Sequence, residues 1–221
     1  MKRVTSKKLS ILFIMCFAVS LALTGCMPSF DASGYIKACL DANTKGEFEA
    51  YAEITGSTVE EVEALYNQSI DAEMAYIEAY NVSDEKKAEF RQLFIDMYKN
   101  FKYEVGEATR NEDDSYTVPV TTYKLMVFEG MLKDGEEYLN NYAQAEVDAG
   151  RTPTQEQLET EAINFMYDAM KEKMSTLTYA EPVTTNITVS PTKSGSQVIY
   201  SADINALQDL IESLVDIENA Q

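Results

Sequence analysis

The chain has 221 residues, with 18 lysines and arginines against 37 acidic residues, no histidine and no tryptophan. Its formal net charge of −19 argues against a nucleic-acid partner, because phosphates require Lys and Arg. The same charge opposes a domain that lies flat on anionic lipid. Without histidine, Ser-His and Cys-His nucleophiles and His-containing zinc sites are excluded.

Residues 1–25 have the pattern of an export signal. Lysine or arginine stands at positions 2, 3, 7 and 8, and an apolar stretch covers 11–23. A positive start followed by such a stretch is typical of a cleaved signal peptide. The stretch is short for a membrane-spanning helix, which needs roughly 20 apolar residues. We therefore predict that residues 1–25 are removed.

The end of this signal, Leu23-Thr24-Gly25-Cys26, resembles the lipobox of bacterial lipoproteins. The resemblance implies cleavage before Cys26, a diacylglycerol on its sulfur, and often an acyl group on its new amine. The alternative is an ordinary signal peptide with a chance cysteine at its end. Two or three acyl chains anchor a protein firmly. We predict a lipid anchor at Cys26 on the extracytoplasmic face of the cell membrane.

The remaining chain divides into a short tether, residues 26–32, and a domain, residues 33–221. The six residues after Cys26 reach only about 20 Å, which would keep the domain near the membrane. Cys16 leaves with the signal and Cys26 is modified, so Cys39 has no cysteine with which to form an internal disulfide. Cys39 lies in an apolar helical pattern and is expected to be a buried thiol rather than a nucleophile.

Four stretches of the domain have clear helical periodicity and start signals. The starts are a capping box at Ser57-x-x-Glu60, the Ser83-Asp84 pair, a capping box at Thr154-x-x-Gln157, and Asp203. Weaker helical patterns cover 33–43, 47–55 (closed by Gly56) and 131–149 (closed by Gly150).

Two β-hairpins are predicted between the helices. The first has strands 102–109 and 115–128 around a polar turn, and the second has strands 183–190 and 196–200 around the turn 191–195. Helices packed on two antiparallel hairpins indicate an α+β fold. Each hairpin is preceded by long helices and followed by a further helix. This order suggests a duplicated helix–hairpin–helix unit with halves 33–130 and 131–221.

This arrangement resembles small lipoproteins of Gram-positive bacteria. The resemblance rests on the lipobox, the opening Tyr35–Ala42, the junction Ile54-Thr55-Gly56-Ser57 and the order of the hairpins. It implies a cystatin-like or nuclear-transport-factor-like α+β domain of unknown function. It brings no catalytic residues, and we expect no cofactor and no metal.

Three patterns in the sequence are candidates for a catalytic or metal-binding site. Ser83-x-x-Lys86 and Lys193-Ser194-Gly195 match elements of penicillin-binding enzymes, but no S-D-N element accompanies them. Ser83 is expected to be a helix cap, and Lys193-Ser194-Gly195 is expected to lie in a turn. The cluster 111–114 offers oxygen ligands for Ca²⁺ but lacks the spacing of an EF-hand, which favours a solvated turn. Paired carboxylates could support glycoside hydrolysis, but 37 acids give no basis for selecting a pair.

Tyrosines at helical spacing form the remaining candidate for a ligand cavity, although such stripes are usually core. They are Tyr76, Tyr80, Tyr98, Tyr138 and Tyr142. The composition and the lipobox together favour a non-enzymatic binding module for an envelope protein or a small ligand. The alternative is an envelope enzyme that uses carboxylates or a Ser-Lys pair.

Overall fold

The computed structural model describes residues 19–22, 30–194 and 197–217. It is an α+β fold, as the sequence predicts. The helices are α1 (Ala32–Leu40), a π-helix (Asp41–Lys45), α2 (Glu49–Thr55), α3 (Val59–Glu78), α4 (Asp84–Lys99), α5 (Met131–Asp148), α6 (Gln155–Ser175) and α7 (Ile204–Glu212). The strands are β1 (Val19–Ala22), β2 (Lys102–Val105), β3 (Thr109–Arg110), β4 (Tyr116–Tyr123), β5 (Val183–Ser194) and β6 (Gln197–Ala202).

All described strands join one antiparallel sheet. Its order is β1-β6-β5-β4-β2, and β3 pairs with β4 beyond the end of β2. The two predicted hairpins therefore lie side by side, joined through β4 and β5. That pairing runs from Tyr116 opposite Val189 to Thr122 opposite Val183.

The first hairpin differs from the prediction because its outer strand is interrupted between Val105 and Thr109. Ser33 of α1 bridges the gap: its hydroxyl donates to the Gly106 carbonyl and accepts from the Ala108 amide, both at 2.8 Å. A Cβ on Gly106 would lie 2.9 Å from the Pro119 ring, so the close approach requires glycine. The two hydrogen bonds of Ser33 hold α1 against the sheet at this interruption.

In the second hairpin, the predicted turn at 191–195 is wrong for its first four residues. β5 continues through Pro191, which lies opposite Tyr200 of β6, and ends at Ser194. Pairing between β5 and β4 extends only to Val189. Past that point β5 has an open side, where the missing amide proton of a proline costs no ladder bond.

Most predicted helix starts are confirmed by the side-chain caps. Ser83, Thr154 and Asp203 each accept a hydrogen bond from a first-turn amide, and Thr154 forms the predicted box with Gln157. The box at the start of α3 uses Thr58 and Glu61, one residue later than predicted. The hydroxyl of Ser57 instead accepts a hydrogen bond from Thr55.

α1 packs against β2 and β4 of the sheet and against α2, and the π-helix that follows it packs against α3 and α4. Tyr35, Ile36 and Leu40 of α1 are fully buried. Cys39 is also fully buried, which confirms the predicted burial of this thiol. α1 is thus the central helix of the domain, and its C-terminal end positions the candidate site.

A buried carboxylate fastens the C-terminal segment to the loop after β4. Oδ1 of Asp216 accepts from the amides of Val127 and Phe128, both at 2.8 Å, and the residue is fully buried. Backbone hydrogen bonds join Leu125 to Leu214 and Asp216 in the same place. Because these segments are far apart in sequence, the contact holds the C-terminal segment against the rest of the domain.

Candidate functional site

The site begins where α1 widens into a π-helix. Asn43 and Thr44 donate side-chain hydrogen bonds to the carbonyls of Cys39 and Leu40, each at 2.7 Å. Such bonds to carbonyls four residues earlier compete with the α-helical backbone pattern. Gly46, with φ of 68°, ends the element in the left-handed conformation. Single turns of π-helix are frequent at functional sites.

The π-helix places a largely buried carboxylate, Asp41, against the sheet. Its Oδ1 accepts a hydrogen bond from the Tyr103 hydroxyl at 2.6 Å, and its Oδ2 is paired with Lys37. The Tyr103 hydroxyl also lies 3.2 Å from the Thr44 hydroxyl. Burial, and then the hydrogen bond to Asp41, raises the pKa of Tyr103. The phenol therefore remains a proton donor.

Lys45, at the end of the π-helix, contacts the backbone where α4 leads into β2. Its ammonium donates to the carbonyls of Lys99, at 2.7 Å, and Phe101. It also lies 5.4 Å from the centre of the Tyr103 ring. Burial lowers the pKa of Lys45, while Asp41 and Glu47 oppose that shift. A cation at the C-terminal end of α4 also complements the helix dipole.

These groups form one wall of an open cleft of about 540 Å³. That volume lies within the usual range for small-ligand sites. The lining residues are Lys37, Asp41, Lys45, Glu47, Phe101, Lys102, Tyr103, Glu104 and Val105. We call this feature the Asp41–Tyr103 cleft.

The lining of the Asp41–Tyr103 cleft is balanced in charge, with three lysines and three acids, although the chain as a whole is at −19. Asp41 already accepts hydrogen bonds or ion pairs at both oxygens, and Tyr103 retains its proton. The cluster therefore offers fixed donors and acceptors rather than a free base or nucleophile. This arrangement suits binding of a polar ligand that carries both signs of charge.

The structure does not bring the predicted Ser83 and Lys86 into a catalytic pair. The Ser83 hydroxyl caps α4 by accepting from the Lys86 amide at 3.2 Å. The Lys86 ammonium instead pairs with Glu89 at 2.7 Å and lies 4.0 Å from the centre of the Tyr167 ring. Of the second element, Lys193 and Ser194 lie at the end of β5 rather than in a turn, and Gly195 lies outside the described residues.

The acidic turn at 111–114 also does not converge on a cation site. Asp113 accepts from the amide and hydroxyl of Ser115, whereas Asp114 pairs with Arg110. Hydrogen bonding to Ser115 lowers the pKa of the Asp113 carboxyl. Among residues 19–22, 30–194 and 197–217, no cluster of three or more potential ligands could hold a metal ion.

The predicted tyrosines lie on different elements and do not line the Asp41–Tyr103 cleft. Tyr76 of α3 and Tyr80, just after the end of α3, share a hydrogen bond of 3.0 Å, and Tyr98 is buried on α4. Tyr138 of α5 donates to Glu161 of α6. Tyr142 is on α5 too. The tyrosine of the cleft, Tyr103, lies on strand β2, so a helical spacing of tyrosines does not identify it.

The predicted lipid-anchor residue, Cys26, lies outside the described residues, as do 1–18 and 23–25 of the predicted signal. Residues 19–22 of that signal form β1, which pairs with β6 from Val19 opposite Tyr200 to Ala22 opposite Gln197. In the part of the chain that the structure describes, no helix combines the length and apolarity that crossing a membrane requires.

The fold is similar to that of a candidate lipoprotein, ycdA of Bacillus subtilis strain 168. The two share 17% sequence identity with a TM-score of 0.56, over 85% of this chain. The chain spans only 57% of the length of ycdA. No family model and no curated protein matches the sequence. At this identity the likeness establishes the shared fold.

The Asp41–Tyr103 cleft was not identified from the sequence, although one local signal was present. The apolar face of α1 is followed by Asp41-Ala42-Asn43-Thr44, where polar residues continue into the buried side of a helix. Buried polar side chains require hydrogen-bond partners, which marks such a run as unusual. Its principal partner, Tyr103, is 62 residues away and could not be assigned without the fold.

Proposed function

We propose that this chain is a lipid-anchored extracytoplasmic protein whose α+β domain binds a partner at the Asp41–Tyr103 cleft. The lipobox at Leu23–Cys26, immediately before the domain, carries the proposal. The likeness in fold to a candidate lipoprotein supports it. The sheet packed around α1 is consistent with the resembled cystatin-like or nuclear-transport-factor-like arrangement.

Cleavage before Cys26 would remove β1 and leave the cleft intact. β1 pairs with β6 at one edge of the sheet, whereas Lys102 and Tyr103 lie on β2 at the other edge. The mature domain would then have β6 as its edge strand.

Substitution of Cys26 tests the anchor, and Cys16 provides a matched control. Wild-type protein and the Cys16→Ala variant should both partition into the detergent phase, because Cys16 lies outside the lipobox. Cys26→Ala should yield either an aqueous protein or an uncleaved precursor of larger mass. A Cys26→Ala protein of processed size that remains in the detergent phase would contradict lipidation.

The ligand of the cleft is proposed to be a segment of an envelope protein that carries both ammonium and carboxylate groups. The balanced set of three lysines and three acids supports a ligand of mixed charge. Opposite potentials across an interface favour association and select against wrong partners.

A photo-crosslinking amino acid in place of Glu47, which lines the cleft, tests this assignment on intact cells. The matched control replaces Glu136, an exposed residue of α5 that lies outside the cleft. An adduct of defined mass from position 47 alone is expected. Failure to form an adduct at 47, or equal adducts at both positions, would contradict a specific site there.

A further inference from the structure

Phe30 fixes the point at which the chain joins the folded domain. Its ring stacks on Tyr200 of β6, with centroids 4.2 Å apart and planes 3° from parallel. It also meets the ring of Tyr116 on β4 edge-on, at 5.9 Å. Asp31, next in the chain, caps α1 by accepting from the Gly34 amide at 2.8 Å. These contacts hold the start of the domain at one end of the sheet.

Four residue steps separate Cys26 from Phe30. At no more than 3.6 Å for each step, the two Cα atoms are within about 14 Å of each other. If Cys26 bears the lipid, the end of the sheet that holds Phe30 therefore lies next to the headgroups. The β3–β4 turn, which includes Glu112, leads directly into Tyr116 at this same end.

The Asp41–Tyr103 cleft lies at the opposite end of the sheet. β4 runs seven steps from Tyr116 to Tyr123, or about 23 Å. Lys102 and Tyr103 of the cleft pair with Tyr123 and Thr122, at the far end of that strand. α1 also leads away from Phe30 for nine residues, about 13 Å, before it reaches the π-helix.

The net charge of the chain opposes an orientation in which the domain lies on its side. The chain carries 37 acids against 18 basic residues, so contact of a broad face with anionic lipid would be repulsive. Four of the basic residues, at positions 2, 3, 7 and 8, belong to the predicted signal and would leave with it. The short tether and the packing of Phe30 therefore carry the orientation, because the anchored end has acids of its own at Glu112, Asp113 and Asp114.

We propose that the domain stands end-on at the membrane, with Phe30 and the β3–β4 turn toward the lipid headgroups and the Asp41–Tyr103 cleft facing outward. This orientation rests on the proposed lipid anchor at Cys26. It places the cleft about 20 Å farther from the membrane than the anchored end. The partner is therefore met on the outer side, away from the lipid.

Two exposed glutamates at opposite ends of the sheet provide the test. Glu112 lies in the β3–β4 turn, and Glu181 lies two residues before Val183, the start of β5 at the far end. Glu112→Cys and Glu181→Cys variants of the full chain would be produced in a Gram-positive host, spin-labelled and reconstituted in phosphatidylglycerol vesicles containing a nickel-chelating lipid. Buried Cys39 provides no competing surface thiol.

The nickel headgroups should relax the label at 112 several-fold more strongly than the label at 181. Equal relaxation, or stronger relaxation at 181, would overturn the orientation. An insertion of 20 Gly and Ser residues between Pro28 and Ser29 adds a flexible reach of about 25 Å and should abolish the difference. If the difference persists, the short tether is not its cause.

Sedimentation of the vesicles tests the lipid anchor separately from the orientation. Protein that fails to sediment with vesicles, in its processed form, would overturn the lipid anchor and the orientation together. Protein that sediments through Cys26 but shows no difference between the two labels would overturn the orientation alone.

Discussion

Substitution of Asp216 tests how much its hydrogen bonds to the loop after β4 contribute to the stability of the domain. Its carboxylate is fully buried, and Oδ1 accepts from two backbone amides, Val127 and Phe128, at 2.8 Å. Oδ2 has no hydrogen-bond partner among the described residues. We expect Asp216→Ala to destabilise the fold because it leaves both amides unpaired beneath the C-terminal segment.

The expected magnitude follows from the two hydrogen bonds. An unsatisfied buried amide costs about 1–3 kcal/mol, and removal of a carboxylate with one unpaired oxygen recovers part of that loss. The free energy of unfolding should therefore fall by about 3 kcal/mol. For a domain of this size, that corresponds to a decrease in Tm of roughly 6–12 °C. Asp216→Asn retains an acceptor oxygen and should lose less than half as much.

Urea unfolding followed by circular dichroism measures both variants. Asp209→Ala is the control, because Asp209 is an exposed aspartate on neighbouring α7, and its free energy of unfolding should change by less than about 0.5 kcal/mol. The reasoning fails if Asp216→Ala is no more damaging than Asp209→Ala. It also fails if Asp216→Asn is as damaging as Asp216→Ala, since the acceptor would then be irrelevant.

Burial raises the pKa of Glu73 to about 7 from an ordinary value of 4.5, so the folded state holds a proton that the unfolded chain releases. The contribution of Glu73 to the free energy of unfolding should therefore fall as pH rises from about 4.5 to 7, and Glu73→Gln should remove this contribution from the pH dependence measured by urea unfolding; an unchanged pH dependence would contradict it. Tyr103→Phe should lower the free energy of unfolding by about 1–2 kcal/mol, because it removes the donor to Asp41. Tyr123→Phe is the control, because the Tyr123 hydroxyl donates to the exposed Glu104, and it should change the free energy of unfolding by less than about 0.5 kcal/mol. Equal losses in the two variants would contradict a larger contribution from the hydrogen bond to Asp41. Thr154→Ala should cost about 1 kcal/mol through the lost cap of α6, measured by thermal unfolding, and no loss would contradict the capping box.

Local signals in the sequence predicted much of the helical structure. Hydroxyl caps such as Ser83 and Thr154, and terminal glycines such as Gly56 and Gly150, act within one or two turns and can be identified without the fold. The error at Ser57 has the same local origin. Two adjacent hydroxyl residues are each followed three positions later by a glutamate, and backbone geometry selects Thr58.

Contacts that depend on distant parts of the chain could not be predicted. The pairing of β4 with β5 joins two hairpins separated by α5 and α6, and the proline pattern alone suggested a turn at Pro191. The partners of Asp41 and Asp216 are brought together only by that sheet and its loops. These carboxylates are buried polar groups, for which the sequence shows the need for a partner but not its identity.

The most direct test of the account is the intact mass and N-terminal sequence of the full-length gene product extracted from bacterial membranes with detergent. The account predicts a chain that begins at Cys26 and carries a diacylglycerol on that sulfur. A membrane-extracted chain that retains residues 1–25, or one whose Cys26 thiol is unmodified, would contradict it.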